Sequence, residues 1–230
     1  VFYLVYLTIS TLIILLWLIF PNTVLLLFLI VACYHFGKED TVFSVEKKIF
    51  FKEFLFFLKG SSVIVAPLLF HREETNQIFK TLNFNFFEIS FFNDYLLLMI
   101  LSLSFLSIFF LSSKKNIDFK ILMIADFLSI IIINFFLSPI LAFTLYFCFL
   151  HSIRHSLTLI FELDKSLKNG FKKFIKKAVP LTVITGFTFV GAIYILNNFY
   201  ELNEAIYKVI FIGLASLTFP HILLEYLIEK

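Results

Sequence analysis

The sequence predicts an all-α fold, a polytopic membrane helical bundle with about eight transmembrane helices in this chain. Three observations carry that expectation. Hydrophobic residues make up 60% of the 230 residues and charged ones only 15%, more apolar surface than a soluble domain of this size can cover. The apolar residues fall into runs approaching the twenty or so that a bilayer crossing needs. The lysines are segregated into alternate connections between those runs. Nothing in the pattern divides the chain, so residues 1–230 are expected to form a single integral-membrane domain.

Eight apolar segments follow in order, at roughly 1–20, 22–36, 54–70, 94–112, 118–137, 139–161, 178–198 and 205–228. Pro21-Asn22 is expected to turn the chain between the first two segments, and Ser138-Pro139 between the fifth and sixth. The third is the least regular, because Pro67 lies inside it and charged residues flank it. Segment 41–59 interleaves Phe and Leu with Lys and Glu, which suits an amphipathic stretch lying along the membrane surface. Residues 162–177 read as a basic cytoplasmic loop able to contact anionic lipid. The chain opens at Val1 within an apolar helix and without a preceding basic region. That is expected of an N-terminally incomplete sequence rather than a signal peptide.

Charge placement orients the bundle. The even-numbered connections carry fourteen lysines, among them Lys47, Lys48, Lys114, Lys115, Lys172 and Lys173, whereas the odd ones carry Arg72 and Lys80. This positive-inside bias makes the even connections cytoplasmic in a multi-pass protein of the cell membrane. The same topology explains the basic runs, so nucleic acid is rejected as a partner. Cys33 and Cys148 suggest no disulfide framework; lone membrane cysteines usually behave as small hydrophobes.

Polar residues inside the apolar runs carry the functional signal. His151-Ser152-Ile153-Arg154-His155 places two imidazoles at i and i+4, on one face of a helix, where both can meet a single ion. The bland alternative is a pair of polar groups bonding neighbouring helices, with Arg154 snorkelling to the surface. His151 and His155 lie about 16 and 10 Å from the helix end near Glu162, at the ordinary rise per residue. His221, after Pro220, falls in the same leaflet. The second segment is short, about 22 Å from Asn22 to Phe36, which leaves His35 near the depth of His155. Four histidines thus share the cytoplasmic half, and His71 lies at the other side in a solvated stretch with Arg72, Glu73 and Glu74.

Gly37 is expected to permit a sharp exit from the second helix. Asp40 then becomes a candidate to orient a histidine, as carboxylates do behind metal ligands, or else a solvated loop acid. Asp126, also within a span, is expected to pair with Arg154. An all-histidine donor set suits iron, zinc or copper. No Gly-rich phosphate loop, serine nucleophile elbow or cysteine-pair zinc motif is present, so no catalytic residue is expected beyond metal ligands.

Three motifs together resemble the Brp/Blh family of membrane-embedded beta-carotene 15,15′-dioxygenases. They are Tyr34-His35-Phe36-Gly37-Lys38-Glu39-Asp40, His151-Ser152-Ile153-Arg154-His155 and Thr218-Phe219-Pro220-His221. The resemblance implies one non-haem Fe(2+), with His35, His151 and His155 among its ligands. A fourth ligand is implied in a His-Gly-x-x-Asp motif that this sequence lacks, upstream of Val1. His221 matches a motif of the family and is carried over only as a residue that lines the pocket or orients the ligands, a role for which Asp40, Asp126 and Arg154 are candidates from the reading of the residues above. The implied reaction adds dioxygen across the central double bond of beta-carotene to give two retinal molecules.

Two other readings stand beside it. Membrane desaturases and hydroxylases also use His-x-x-x-His, but need about twice as many ligands as these histidines provide. A metal-ion or proton transporter would place polar groups at several depths across the membrane, whereas these cluster in one leaflet. The sequence gives no indication of oligomeric state.

Overall fold

A computed structural model describes residues 2–41, 51–84, 92–112 and 117–228, and helices account for nearly all of them. The first two are α1 (Phe2–Ile19) and α2 (Pro21–Glu39). They are separated by Phe20 alone, because Pro21 cannot donate a helical hydrogen bond yet is well suited to a first turn. Next come α3 (Lys52–Phe70), α4 (Arg72–Thr81), α5 (Asp94–Leu111) and α6 (Ile117–Phe136). Asn93 caps α5 by accepting from the Leu96 amide at 2.9 Å.

Ser138-Pro139 starts the sixth apolar segment, which is one continuous rod of three parts. They are α7 (Pro139–Leu145), a π-helical segment (Tyr146–Ser152) and α8 (Ile153–Leu163). The chain ends in α9 (Leu167–Leu196) and α10 (Leu202–Ile228). Among the described residues seven of these rods are long and apolar enough to cross a membrane, and Leu4–Ile19 is a shorter apolar stretch. All eight apolar segments expected from the sequence are therefore helices in a polytopic bundle.

The centre of the bundle is the α2–α3 crossing, flanked by α5 and α6 beside α3. The two central helices approach so closely because each presents a glycine to the other. A Cβ on Gly37 would stand 1.8 Å from the Phe56 carbonyl oxygen, and one on Gly60 would stand 1.9 Å from that of Cys33. In lipid, where apolar burial does not drive association, such backbone contact is what small residues contribute. Polar ties supplement it. Ser104 donates to the Lys59 carbonyl at 2.9 Å, and Tyr6 on α1 donates to the Leu217 carbonyl on α10 at 2.8 Å. Lys208 of α10 donates to the Thr81 carbonyl at the end of α4. By contrast α9 turns Ile184, Phe187, Val190 and Tyr194 outward, a surface suited to lipid.

Several boundaries differ from expectation. Gly37 does not end α2, which continues to Glu39; the residue serves the helix crossing instead of an exit. Lys52 to Lys59 form the first two turns of α3, with Phe56 and Lys59 buried in the bundle. The remainder of that stretch, 42–50, lies outside the described residues.

The basic loop expected at 162–177 is mostly helix. Only residues 164–166 separate α8 from α9, and Lys168 to Lys177 lie on the first turns of α9. Lys173 closes that short connection through a 2.7 Å contact with Asp164, which also accepts from the Ser166 amide. The ammonium beside it holds the Asp164 carboxyl below its ordinary range. Finally, Arg72, Glu73 and Glu74 open an amphipathic helix, α4, and not a loop, with Glu73 and Glu74 exposed as expected. Its acidic first turn and terminal Lys80 complement the helix dipole, and Thr75, Ile78 and Phe79 are buried.

Candidate metal centre

Four histidines from three rods meet at the end of the bundle where α2 finishes. His35 and His151 are almost fully buried, and His155 and His221 are half-buried. Their rings form a closed circuit. Centroids are 5.3 Å apart for His35–His151, 6.5 Å for His151–His155, 5.5 Å for His155–His221 and 5.6 Å for His221–His35. The His151 and His155 planes lie within 3° of parallel, as residues four apart on one helical face should. His71 takes no part in the circuit. It caps the opposite end of α3, about 18 Å along the helix from Lys59.

The π-helical segment sets the approach of His151. Seven residues wound more widely end at Ser152, so both Tyr146 and His151 turn inward. Such insertions commonly occur at functional sites. Phe36 packs edge-on against both rings, at 5.4 Å from Tyr146 and 4.9 Å from His151. Phe147 stacks on His151 at 5.6 Å.

Behind the rings stand two successive carboxylates. Glu39 Oε2 lies 3.1 Å from His155 Nδ1, and Asp40 Oδ1 lies 3.3 Å from His151 Nδ1. A carboxylate acceptor requires Nδ1 to carry the proton, which leaves Nε2 of each ring as the lone-pair donor. Asp40 is thus a buried partner of His151 and not a solvated loop acid. It also accepts from Tyr146 Oη at 2.8 Å and has Lys59 Nζ at 3.9 Å and Arg154 Nη1 at 3.5 Å.

Arg154 does not snorkel away. Its Nη2 donates to Asp126 Oδ1 at 2.8 Å, the pairing expected from the sequence. Two cations and two carboxylates therefore share a buried cluster beside the histidines. Asp126 Oδ2 and Arg154 Nη1 keep no hydrogen-bond partner there.

Glu39, Lys59 and Tyr146 are site residues that the sequence reading misses. Glu39 sits within the quoted motif, but its role depends on where α2 ends. Lys59 reads as one of the loop charges, and Tyr146 gives no signal until the π segment is seen. Cys148, three residues before His151, is exposed.

The donor chemistry suits a borderline transition metal: four imidazoles, two of them backed by carboxylates. Spacing agrees as well. An imidazole bound at about 2.1 Å keeps its ring centre a little over 3 Å from the ion, so bound rings stand about 4.5–6.5 Å apart. As the side chains stand, the described His, Cys, Asp and Glu residues form no group of three or more that holds an ion. The rings of His35 and His221 meet their neighbours edge to face.

The family model described as "Beta-carotene 15,15'-dioxygenase" matches residues 1–229. A protein of that name from uncultured marine bacterium 66A03 is 30% identical over 226 residues, which is 96% of this chain and 78% of that protein. No solved structure matches the chain.

Proposed function

Given that this chain belongs to the beta-carotene 15,15′-dioxygenase family, we propose that it cleaves the central double bond of beta-carotene with dioxygen. One carbon–carbon double bond is lost and one oxygen atom goes to each carbon, giving two retinal molecules. His35, His151 and His155 hold Fe(2+) through imidazole nitrogens, and His221 closes the circuit of rings around it. The observation that carries this reading is the circuit itself, buried at one end of an apolar bundle and backed by Glu39 and Asp40.

Bound iron supplies the redox chemistry that engages dioxygen, which no side chain here provides. The residues of the chain do the rest. Asp40 and Glu39 fix the tautomers and ring planes of His151 and His155, so that both Nε2 lone pairs are available together. Phe36 and Phe147 close the apolar side and keep water from the ring edges. Apolar helices give a lipophilic substrate a route from the bilayer. The lysine-bearing end of the bundle, with the metal site, faces the cytoplasm on the positive-inside argument. Gathering of the polar groups at one end favours a reaction site over a transport path.

The test is expression in beta-carotene-producing cells. Loss of orange colour with retinal in the extract is the expected result for the native protein. His151→Ala and His155→Ala are each expected to abolish retinal and most bound iron while the protein remains inserted. Full iron occupancy with normal turnover in either variant would overturn the ligand assignment.

A further inference from the structure

Two cavities share a wall, the first bounded at one end by Phe36, which packs on His151, and the second lying at the opposite end of the bundle. We propose that the passage they form holds one arm of a linear polyene, with its end ring in the wider chamber. The proposal rests on the cleavage reading above and adds where the substrate lies.

The first cavity is narrow, about 60 Å³, and its lining is apolar apart from Thr75. Phe28, Ala32 and Phe36 form its α2 side, at i, i+4 and i+8, a stripe rising about 12 Å along one face. Phe36 belongs both to this wall and to the metal centre, where its ring stands 4.9 Å from His151. At the far end Ile78, Pro139 and Ile140 also line the second cavity, so the two adjoin. That second chamber is larger, about 320 Å³. Tyr207 and the three shared residues offer it apolar surface, and Glu74, Gln77 and Asn203 edge it with polar groups.

Both cavities are partly open to the outside, the first between apolar walls and the second past the exposed Glu74, Gln77 and Asn203. A conjugated chain is thin, stiff and without hydrogen-bonding groups, which suits the narrow apolar part. Its cyclic end is bulkier and needs the chamber. Length also agrees. Ile140 and His151 are eleven residues apart on one rod, about 16 Å, the scale of one carotenoid arm from central bond to end ring. A polyene so placed brings its middle to Phe36 and the histidine circuit and not to either end of the molecule. The passage thereby selects the central bond by distance.

The test compares Ile140→Trp, which fills the shared wall, with Ile140→Ala, which opens it. Ile140 is half-buried, so both changes are made away from the tightest packing. Beta-carotene retained by the full, metal-free protein is measured by absorbance under argon, where no cleavage occurs. Ile140→Trp is expected to bind at least ten-fold more weakly than the native protein, and Ile140→Ala no more weakly. Iron taken up on reconstitution is expected to be equal in all three.

Asn203→Trp fills the chamber from an exposed position and carries the same expectation without disturbing the core. Native-strength binding in both Trp variants overturns the passage, as does equal weakening in Ile140→Trp and Ile140→Ala. Failure of the native protein to form retinal removes the cleavage reading instead, and leaves the binding comparison able to judge the passage.

Discussion

Replacing Asp40 by asparagine separates the two tasks of that carboxylate. Asp40 and Lys59 have side chains only 5% and 7% exposed, with Nζ 3.9 Å from Oδ2. Arg154 and Asp126 complete the cluster, so the native charges balance. The Asp40→Asn change leaves one positive charge uncompensated among apolar helices. Breaking a buried ion pair costs about 3–5 kcal/mol, and because Asp126 remains nearby the lower end, about 3 kcal/mol, is expected. Adding Lys59→Met restores balance and should recover most of that stability.

The loss of metal affinity has a different cause and should persist. A neutral amide holds the His151 Nδ1–H less firmly than a carboxylate does, and such outer partners are worth about 10–100-fold in metal affinity. Unfolding in mixed micelles reads the first quantity and iron titration the second. If Asp40→Asn alone loses less than about 0.5 kcal/mol, the buried-charge argument is wrong, that being the size of an ordinary surface substitution. If Lys59→Met restores iron affinity together with stability, Asp40 acts only through packing and charge balance and does not orient His151.

The other predictions follow from single contacts. Glu39→Gln keeps an acceptor 3.1 Å from His155 Nδ1 but loses its charge, so iron affinity should fall about ten-fold, and Glu39→Ala should fall further; equal affinities in the two variants would deny Glu39 this role. Gly37→Ala puts a methyl group 1.8 Å from the Phe56 carbonyl oxygen and should cost about 1–3 kcal/mol as α2 and α3 part. Gly186→Ala, with nothing within 4 Å, is the matched control, and similar losses at both positions would show that helix propensity rather than packing matters. His71→Ala, at the opposite end of α3 from the histidine circuit, should leave retinal formation nearly unchanged, and a loss like that of His151→Ala would mean that this end of the bundle also serves the reaction.

Much of this fold is legible because lipid imposes one rule on every span: backbone groups must be satisfied within the helix. Long apolar runs therefore mark rods, and all eight are helices. The errors lie where that rule stops. Glycine at position 37 looks like a helix end because glycine is poor in helices, yet its missing side chain serves the crossing with Gly60. The Lys-rich 165–177 stretch looks like a loop because lysines belong in water, yet at a bilayer surface they can decorate the first turns of α9. The site is partly legible for a similar reason. Intramembrane His, Asp and Arg are expensive and stand out against the apolar background, which isolates His35, His151, His155, His221, Asp126 and Arg154. Glu39, Asp40 and Lys59 lie at segment ends where charge is ordinary, so sequence alone does not distinguish buried partners from solvated ones.

The adjacency of Glu39 and Asp40 has a geometric meaning. Successive helical residues point about 100° apart, so neighbouring carboxylates at the end of α2 cannot both serve one ring. They reach two rings instead, and His151 and His155, one turn and about 6 Å apart, meet that requirement. Each carboxylate fixes the tautomer of a different imidazole. Both Nε2 atoms are then left as lone-pair donors, and the rings of His35 and His221 complete the circuit. His35 belongs to α2 as well, four and five residues before the two carboxylates. One helix end thus carries a candidate ligand and also the groups that orient two others. The α2–α3 glycine crossing holds that helix end in register, so a packing defect at Gly37 becomes a defect in the histidine circuit without touching a histidine.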